Sequence, residues 1–276
     1  MPLPDSPDSS AQPRARGKVH VSTKARDGAS VLDGLRQAGS LKLLFPRVDR
    51  KAAPQAVLVN TAGGVTGGDR FEISGRAGVG TALTLTTQAA ERAYRAQPGE
   101  TGKIRTRLSV EAGGRIDWLP QETILYDGSA LDRALSVDLA TDARFLMVEP
   151  LVFGRTAMGE TLSRARFRDR IEIRRGGVPL YLDSIRMAGD LAAHLARRHI
   201  ADGAGAMVSL LYVAPEAEAR LDAIRARLPE TAGASLIRDG VLALRGLAPD
   251  SHLLRQWLVP LIESLAHDPL PRPWMT

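Results

Sequence analysis

Lys103-Ile-Arg-Thr-Arg-Leu-Ser-Val110 sets apolar Ile104, Leu108 and Val110 against polar Arg105, Arg107 and Ser109. Successive side chains of a strand point to opposite faces, so this segment reads as a strand with one dry face and one wet face. Upstream, Thr81–Thr87 repeats the pattern, with Leu83 and Leu85 against Thr84 and Thr86. Outward from this pair the same signature recurs. Val57–Asn60 and Phe71–Ser74 precede it, and Arg115–Leu119, Arg133–Ala140, Arg144–Glu149, Ala165–Arg174 and Pro179–Ile185 follow. Gly, Pro, Asp or Asn usually sits between the runs. Strands in this succession, with no helices between them, argue for stacked antiparallel sheets or a coiled β architecture and against a nucleotide-binding α/β fold. The class is mainly β.

Helices are expected late in the chain. Ala188–His199 is one candidate, and Pro215–Leu228 places Ala217, Leu221, Ile224 and Leu228 on one face. Ser251–Ala266 is a third, with Ser251 as its cap and an interruption at Pro260. Between the first two, Ala206–Val213 reads as a buried strand. Asp239-Gly240 predicts a hairpin whose two turn residues both take positive φ.

Composition narrows the chemistry. The chain has no cysteine, which removes disulfides, thiolate metal sites and cysteine nucleophiles. Residues 1–16 are Pro- and Ser-rich and read as a disordered leader before one domain over 17–276. No signal-like or membrane-length apolar run is present, so a cytoplasmic protein without a membrane partner is expected. The net charge is +6, and Ser163–Arg175 carries six Arg against two acids. Arg164, Arg166, Arg168 and Arg170 alternate with Ala165, Phe167, Asp169 and Ile171, which puts the arginines on one strand face. That face is either simply solvated or a docking surface for phosphate or an acidic protein. With five Phe, three Trp and four Tyr in the whole chain, aromatic platforms for bases are scarce. A nucleic-acid partner is not expected.

Familiar site motifs fail on inspection. The Gly-rich stretch Asn60–Arg70 ends Gly68-Asp69, where a phosphate loop requires Gly-Lys-Ser/Thr. His194 and His199 are five apart, which separates them around a helix, and neither His-Glu-x-x-His nor Gly-x-Ser-x-Gly occurs. What remains is a set of carboxylates beside glycines and apolar neighbours: Asp69, Glu122, Asp127, Glu149 and Glu160. Carboxylates next to Trp118, Tyr126 and Phe153 need partners if they lose water, and Arg70 and Arg155 are candidates. Turn formation by Asp69 and Asp127 and a surface pair at Glu160 account for the same residues. A hydrolase using Glu122 with Asp127 or Glu160 is a further reading, as is a nucleic-acid-binding module on the arginine strand.

Taken in order, these segments resemble the UreD (also UreH) family of urease accessory proteins. The likeness runs through Asn60–Arg70, Leu85–Ala90 with Tyr94-Arg95, Trp118–Asp127 and Glu149–Glu160, and closes at Pro271-Arg272-Pro273-Trp274. The resemblance implies a β-rich, coiled two-layer (β-helix-like) body with a few C-terminal helices and no reaction of its own. It implies as partners the urease apoprotein, accessory protein F and the accessory GTPase G. It also implies an internal, water-filled route for nickel. No tightly bound cofactor is expected, because oxygen ligands alone hold nickel weakly enough to let it move on. Asp69, Glu122, Asp127, Glu149 and Glu160 are the expected polar lining of that transient nickel route.

Overall fold

The computed structural model describes residues 12–49, 52–155 and 158–275. The leader expected over 1–16 lies outside the described residues up to position 11. Thr156 and Ala157 of the Phe153–Glu160 segment and Thr276 lie outside them too.

The strand runs read from the sequence form a coil. In chain order the central strands are β4 (Gln55–Asn60), β5 (Arg70–Ala77), β6 (Ala82–Thr87), β8 (Gly102–Val110), β9 (Arg115–Leu119), β11 (Ala130–Leu139), β12 (Arg144–Phe153) and β13 (Ala165–Arg175). They alternate between two sheets, and within each sheet a strand pairs parallel to the one a full turn earlier. Antiparallel strands close the ends: β1 (Arg16–Arg26) with β2 (Ala29–Gly39), β13 with β14 (Val178–Gly189), and β3 (Leu41–Leu44) with β4. β1 itself lies parallel to β5. Two three-residue strands, β7 (Glu91–Ala93) and β10 (Thr123–Leu125), pair with each other at a corner of the coil. The open alternative between stacked antiparallel sheets and a coil therefore resolves to the coil, with antiparallel additions.

Two apolar clusters hold the layers together. The first fills the gap between the sheets, with Phe71, Ile73, Leu108 and Phe167 from one side and Leu83, Leu85, Ile116 and Phe145 from the other. The second lies on the outer face of the second sheet, which extends through β15 (Ala206–Val213), β17 (Val241–Ala248) and β16 (Ala232–Arg238). Two helices, α2 (Ala217–Arg225) and α3 (Ser251–Leu265), cover that face through Ile224, Leu254, Leu258 and Ile262. All eight residues of β15 are buried, because it has a layer on each side. The outer face of the first sheet stays in water, and the β13 arginines 166, 168 and 170 stand on it as expected.

Three local expectations are corrected. The helix predicted over Ala188–His199 shrinks to α1 (Leu191–Leu195), because β14 continues its pairing with β13 to Gly189. α3 is capped by Asp250, which accepts from Leu253 N at 2.8 Å, and it continues through Pro260 to Leu265. At Asp239-Gly240 only the glycine has positive φ, and a register shift at Leu236/Arg238 absorbs the geometry. Two left-handed turn residues occur instead at Asp27-Gly28, with φ of 51° and 74°, between β1 and β2, and at Gly176-Gly177, with φ of 56° and 79°, between β13 and β14. No helix of the described residues is long and apolar enough to cross a membrane.

Candidate functional site

Four of the five expected carboxylates are tied into the fold by bonds of their own. Asp69 follows Gly68, whose φ is 85°, and closes the turn into β5. Its Oδ1 accepts from Ala15 N at 2.7 Å and its Oδ2 from Thr66 N at 2.9 Å. Those backbone donors take the place of Arg70, which is exposed. Glu122 is buried and accepts from Arg255 of α3 at 3.1 Å. Asp127 accepts from Ser163 Oγ at 3.0 Å and Arg164 N at 2.8 Å and pairs with Arg95. Glu160 accepts from the Arg155 backbone and guanidinium and from Asp127 N at 3.3 Å, so Arg155 is the partner the sequence suggested.

Charge states follow from these partners. At Asp127 burial alone would raise the pKa, but the Arg164 N–H, the Ser163 hydroxyl and the Arg95 charge outweigh it and hold the carboxyl low. At Glu160 the Arg155 guanidinium lowers the pKa despite burial. Neither is poised as a general acid near neutral pH, and Glu122 is engaged with Arg255.

Glu149 differs from these four. It points from β12 into the space between the sheets, where it accepts from Trp118 Nε1 at 2.8 Å. Its Oε2 lies 2.9 Å from Arg133 Nη2 but outside hydrogen-bonding geometry. Burial raises its pKa against the opposing pull of Arg133. Arg133 is held chiefly by Asp169, through Nε at 3.0 Å and Nη2 at 2.6 Å, with Thr123 Oγ1 at 3.3 Å from Nη1. Arg133 and Asp169 are direct partners in the parallel β11–β13 ladder. Together with Trp118, Thr123 and Glu149, Arg133 borders an internal cavity of about 40 Å³. That is room for about one or two waters.

A residue not anticipated from the sequence completes the site. Glu91 of β7 borders both the internal cavity and a surface cleft of about 230 Å³. Asn60 Nδ2 donates to both its oxygens, at 3.1 and 3.2 Å. Burial is the main cause that pushes its pKa up to about 7, with nearby Asp69 adding to it and Asn60 opposing. The signal for Arg133 and Asp169 was present in the sequence: both occupy inward-facing positions of otherwise apolar strand phases. Glu91 carried no such signal, because a three-residue strand shows no period. Among the described residues no group of three or more His, Cys, Asp or Glu is placed to hold a metal ion.

The raised Glu91 pKa has a measurable consequence. The folded form keeps its proton above the ordinary value of 4.5, so this contribution to stability is present below about 4.5 and is lost as pH rises through about 7. Glu91→Gln is expected to flatten that slope and to leave the variant more stable than wild type at pH 8. Urea midpoints across pH 4.5 to 8, on the order of the window set by these pKa values, measure it. An unchanged slope would remove Glu91 as a buried titrating group.

The family model for "UreD urease accessory protein" matches residues 15–275, nearly all of the described chain. The chain belongs to the UreD family. Its UreD relatives include the urease accessory protein UreD of Roseobacter denitrificans, 57% identical over 263 residues that cover 95% of this chain and 96% of that protein. The UreD of Ruegeria pomeroyi is 58% identical over 256 residues, covering 93% and 99%. That of Azorhizobium caulinodans is 46% identical over 265 residues, covering 95% and 96%. The matched span takes in Glu91, Arg133, Glu149 and Asp169 alike.

Proposed function

We propose that this UreD-family chain is a non-catalytic, cytoplasmic scaffold of urease maturation. It docks on the urease apoprotein together with accessory protein F and the accessory GTPase G, and it supports delivery of nickel to the urease active site. The observation that carries the nickel part is the small cavity where Glu149 and Glu91 stand among mainly apolar side chains, with Glu91 also lining the surface cleft. Oxygen ligands presented one or two at a time bind a divalent ion weakly, which transfer requires. Within this reading the carboxylates divide. Glu149 and Glu91 line the passage, while Asp69, Glu122, Asp127 and Glu160 border neither cavity and hold the surrounding turns through the bonds described above. Nickel is cargo here and not a resident cofactor.

Complementation of a urease operon lacking its own copy tests the reading. Glu149→Ala and Glu91→Ala are expected to lower nickel-dependent urease activation several-fold while the protein still co-purifies with urease apoprotein. Asp69→Ala, Glu122→Ala, Asp127→Ala and Glu160→Ala are expected to act mainly through folded yield. Full activation by all six, each stably expressed, sinks the route. Loss of co-purification by wild type sinks the scaffold.

A further inference from the structure

The arginine strand has a concave end that the nickel reading does not use. A cleft of about 560 Å³ lies where β13 begins, and Arg95, Arg164 and Arg166 line it. Its apolar lining is of small residues, including Pro98, Ala130 and Ala188, and no aromatic residue lines it. Arg166 spends one Nη2 hydrogen on the Glu100 carbonyl at 3.2 Å. The Arg164 guanidinium makes no hydrogen bond or ion pair among the described residues. Ser129 supplies a second, independent observation. Only 2% of its surface is exposed, it lines the same cleft, and its Oγ has no hydrogen-bond partner among the described residues. A buried hydroxyl left unpaired is unfavourable, and a ligand oxygen within reach relieves that cost.

We infer that this cleft seats a carboxylate of an extended acidic segment from a partner protein. The observations choose this class for three reasons. The volume falls in the range of organic ligand sites and far exceeds one ion. Beyond the cleft, Arg166, Arg168 and Arg170 project from one face at alternate positions. Alternate side chains of an extended peptide repeat at the same interval, about 6.6–6.8 Å. Finally, fixed carboxylates are interspersed here. Asp127 pairs with Arg95, Glu172 with Arg170, and Asp132 faces Arg168 in the ladder. They repel a phosphate backbone throughout its length but accommodate a protein strand that carries acids only at alternate positions. The inference is independent of any passage of metal, since none of these groups borders the internal cavity.

The test is fluorescence anisotropy of the full chain with a labelled eight-residue peptide alternating glutamate and alanine. Wild type should bind it at low salt and release it as ionic strength rises. Arg164→Gln combined with Arg166→Gln should weaken binding about a hundredfold, about tenfold for each charge-assisted contact. Ser129→Ala should weaken it as well. Arg36→Gln, on exposed β2 at the far edge of the same sheet, should leave it unchanged. No binding by wild type, or equal binding by the double variant, overturns the inference. Displacement by millimolar phosphate as complete as by unlabelled peptide would reduce the cleft to a simple oxyanion site and also overturns it. Tighter binding of a single-stranded oligonucleotide that the double variant loses would assign the face to nucleic acid instead.

Discussion

Arg133→Met is expected to destabilise the protein by about 3–5 kcal/mol, the range for removing one partner of a buried ion pair. Methionine fills much of the same volume, so the loss comes from charge and not from a cavity. Asp169 and Glu149 are both almost fully buried, and Arg133 is the one cation that contacts either of them among the described residues. Without it, two carboxylates on neighbouring inner faces must ionise against each other or take up protons. The Glu149 pKa, already raised by burial, then rises further above its unfolded value, so the variant's stability falls as pH rises above the ordinary carboxylate range. The deficit relative to wild type should be largest near neutrality and smallest near about pH 4. Urea unfolding at both pH values measures it. Combining Arg133→Met with Asp169→Leu should recover much of the loss, because an apolar replacement of a whole pair is often neutral. An Arg133→Met midpoint within experimental error of wild type at both pH values would show that water reaches the triad.

How much of this was legible in the sequence depends on the range of the cause. β8, β9 and β15 could be read because alternation or a continuous apolar run is local, and their extents agree closely with the observed ones. β2 escaped notice because it is a half-exposed edge strand whose residues follow no alternation of burial. β7 and β10 escaped because three residues show no period. The coil itself follows from parallel pairing between strands a full turn apart, which no local pattern records; the strand succession left it open against stacked sheets, and only the family resemblance chose it. The site divides in the same way. Asp69 as a turn former and Arg155 as the partner of Glu160 are short-range facts, and both were accessible. The Arg133–Asp169 bond spans 36 positions and the Arg255–Glu122 bond 133. The sequence showed an inward-phased Asp169 between Phe167 and Ile171, but which cation faced it depended on the parallel register. Glu122 could not be placed at all without knowing that α3 folds back on the second sheet.

Trp274→Ala should cost about 3–5 kcal/mol, the range for deleting a buried large aromatic side chain. A terminal aromatic can serve as a docking anchor, but Trp274 is 1% exposed and belongs to the apolar cluster of Leu254, Leu258 and Leu270. Its Nε1 donates to Leu119 O at 2.9 Å, which joins the chain end to β9. The Arg255 guanidinium sits 5.1 Å from the ring centroid and donates to Trp274 O at 3.0 Å, while its other arm reaches Gln121 and Glu122. The same arginine thus holds the tail and one of the candidate carboxylates, so loss of the tryptophan should loosen Glu122 as well. Trp274→Phe keeps most of the packed volume and gives up the indole hydrogen bond. It should cost less, about 1 kcal/mol for the lost hydrogen bond plus a small volume term, because Thr86 Oγ1 still donates to Leu119 O at 2.6 Å. Trp257 is the internal comparison: it is only partly buried and packs over Gly246, so its alanine variant should fall short of Trp274→Ala. Urea midpoints of the three variants rank these losses. If Trp274→Ala unfolds at the wild-type midpoint yet fails to co-purify with a partner, the tail is a docking element after all and its burial does not hold in solution.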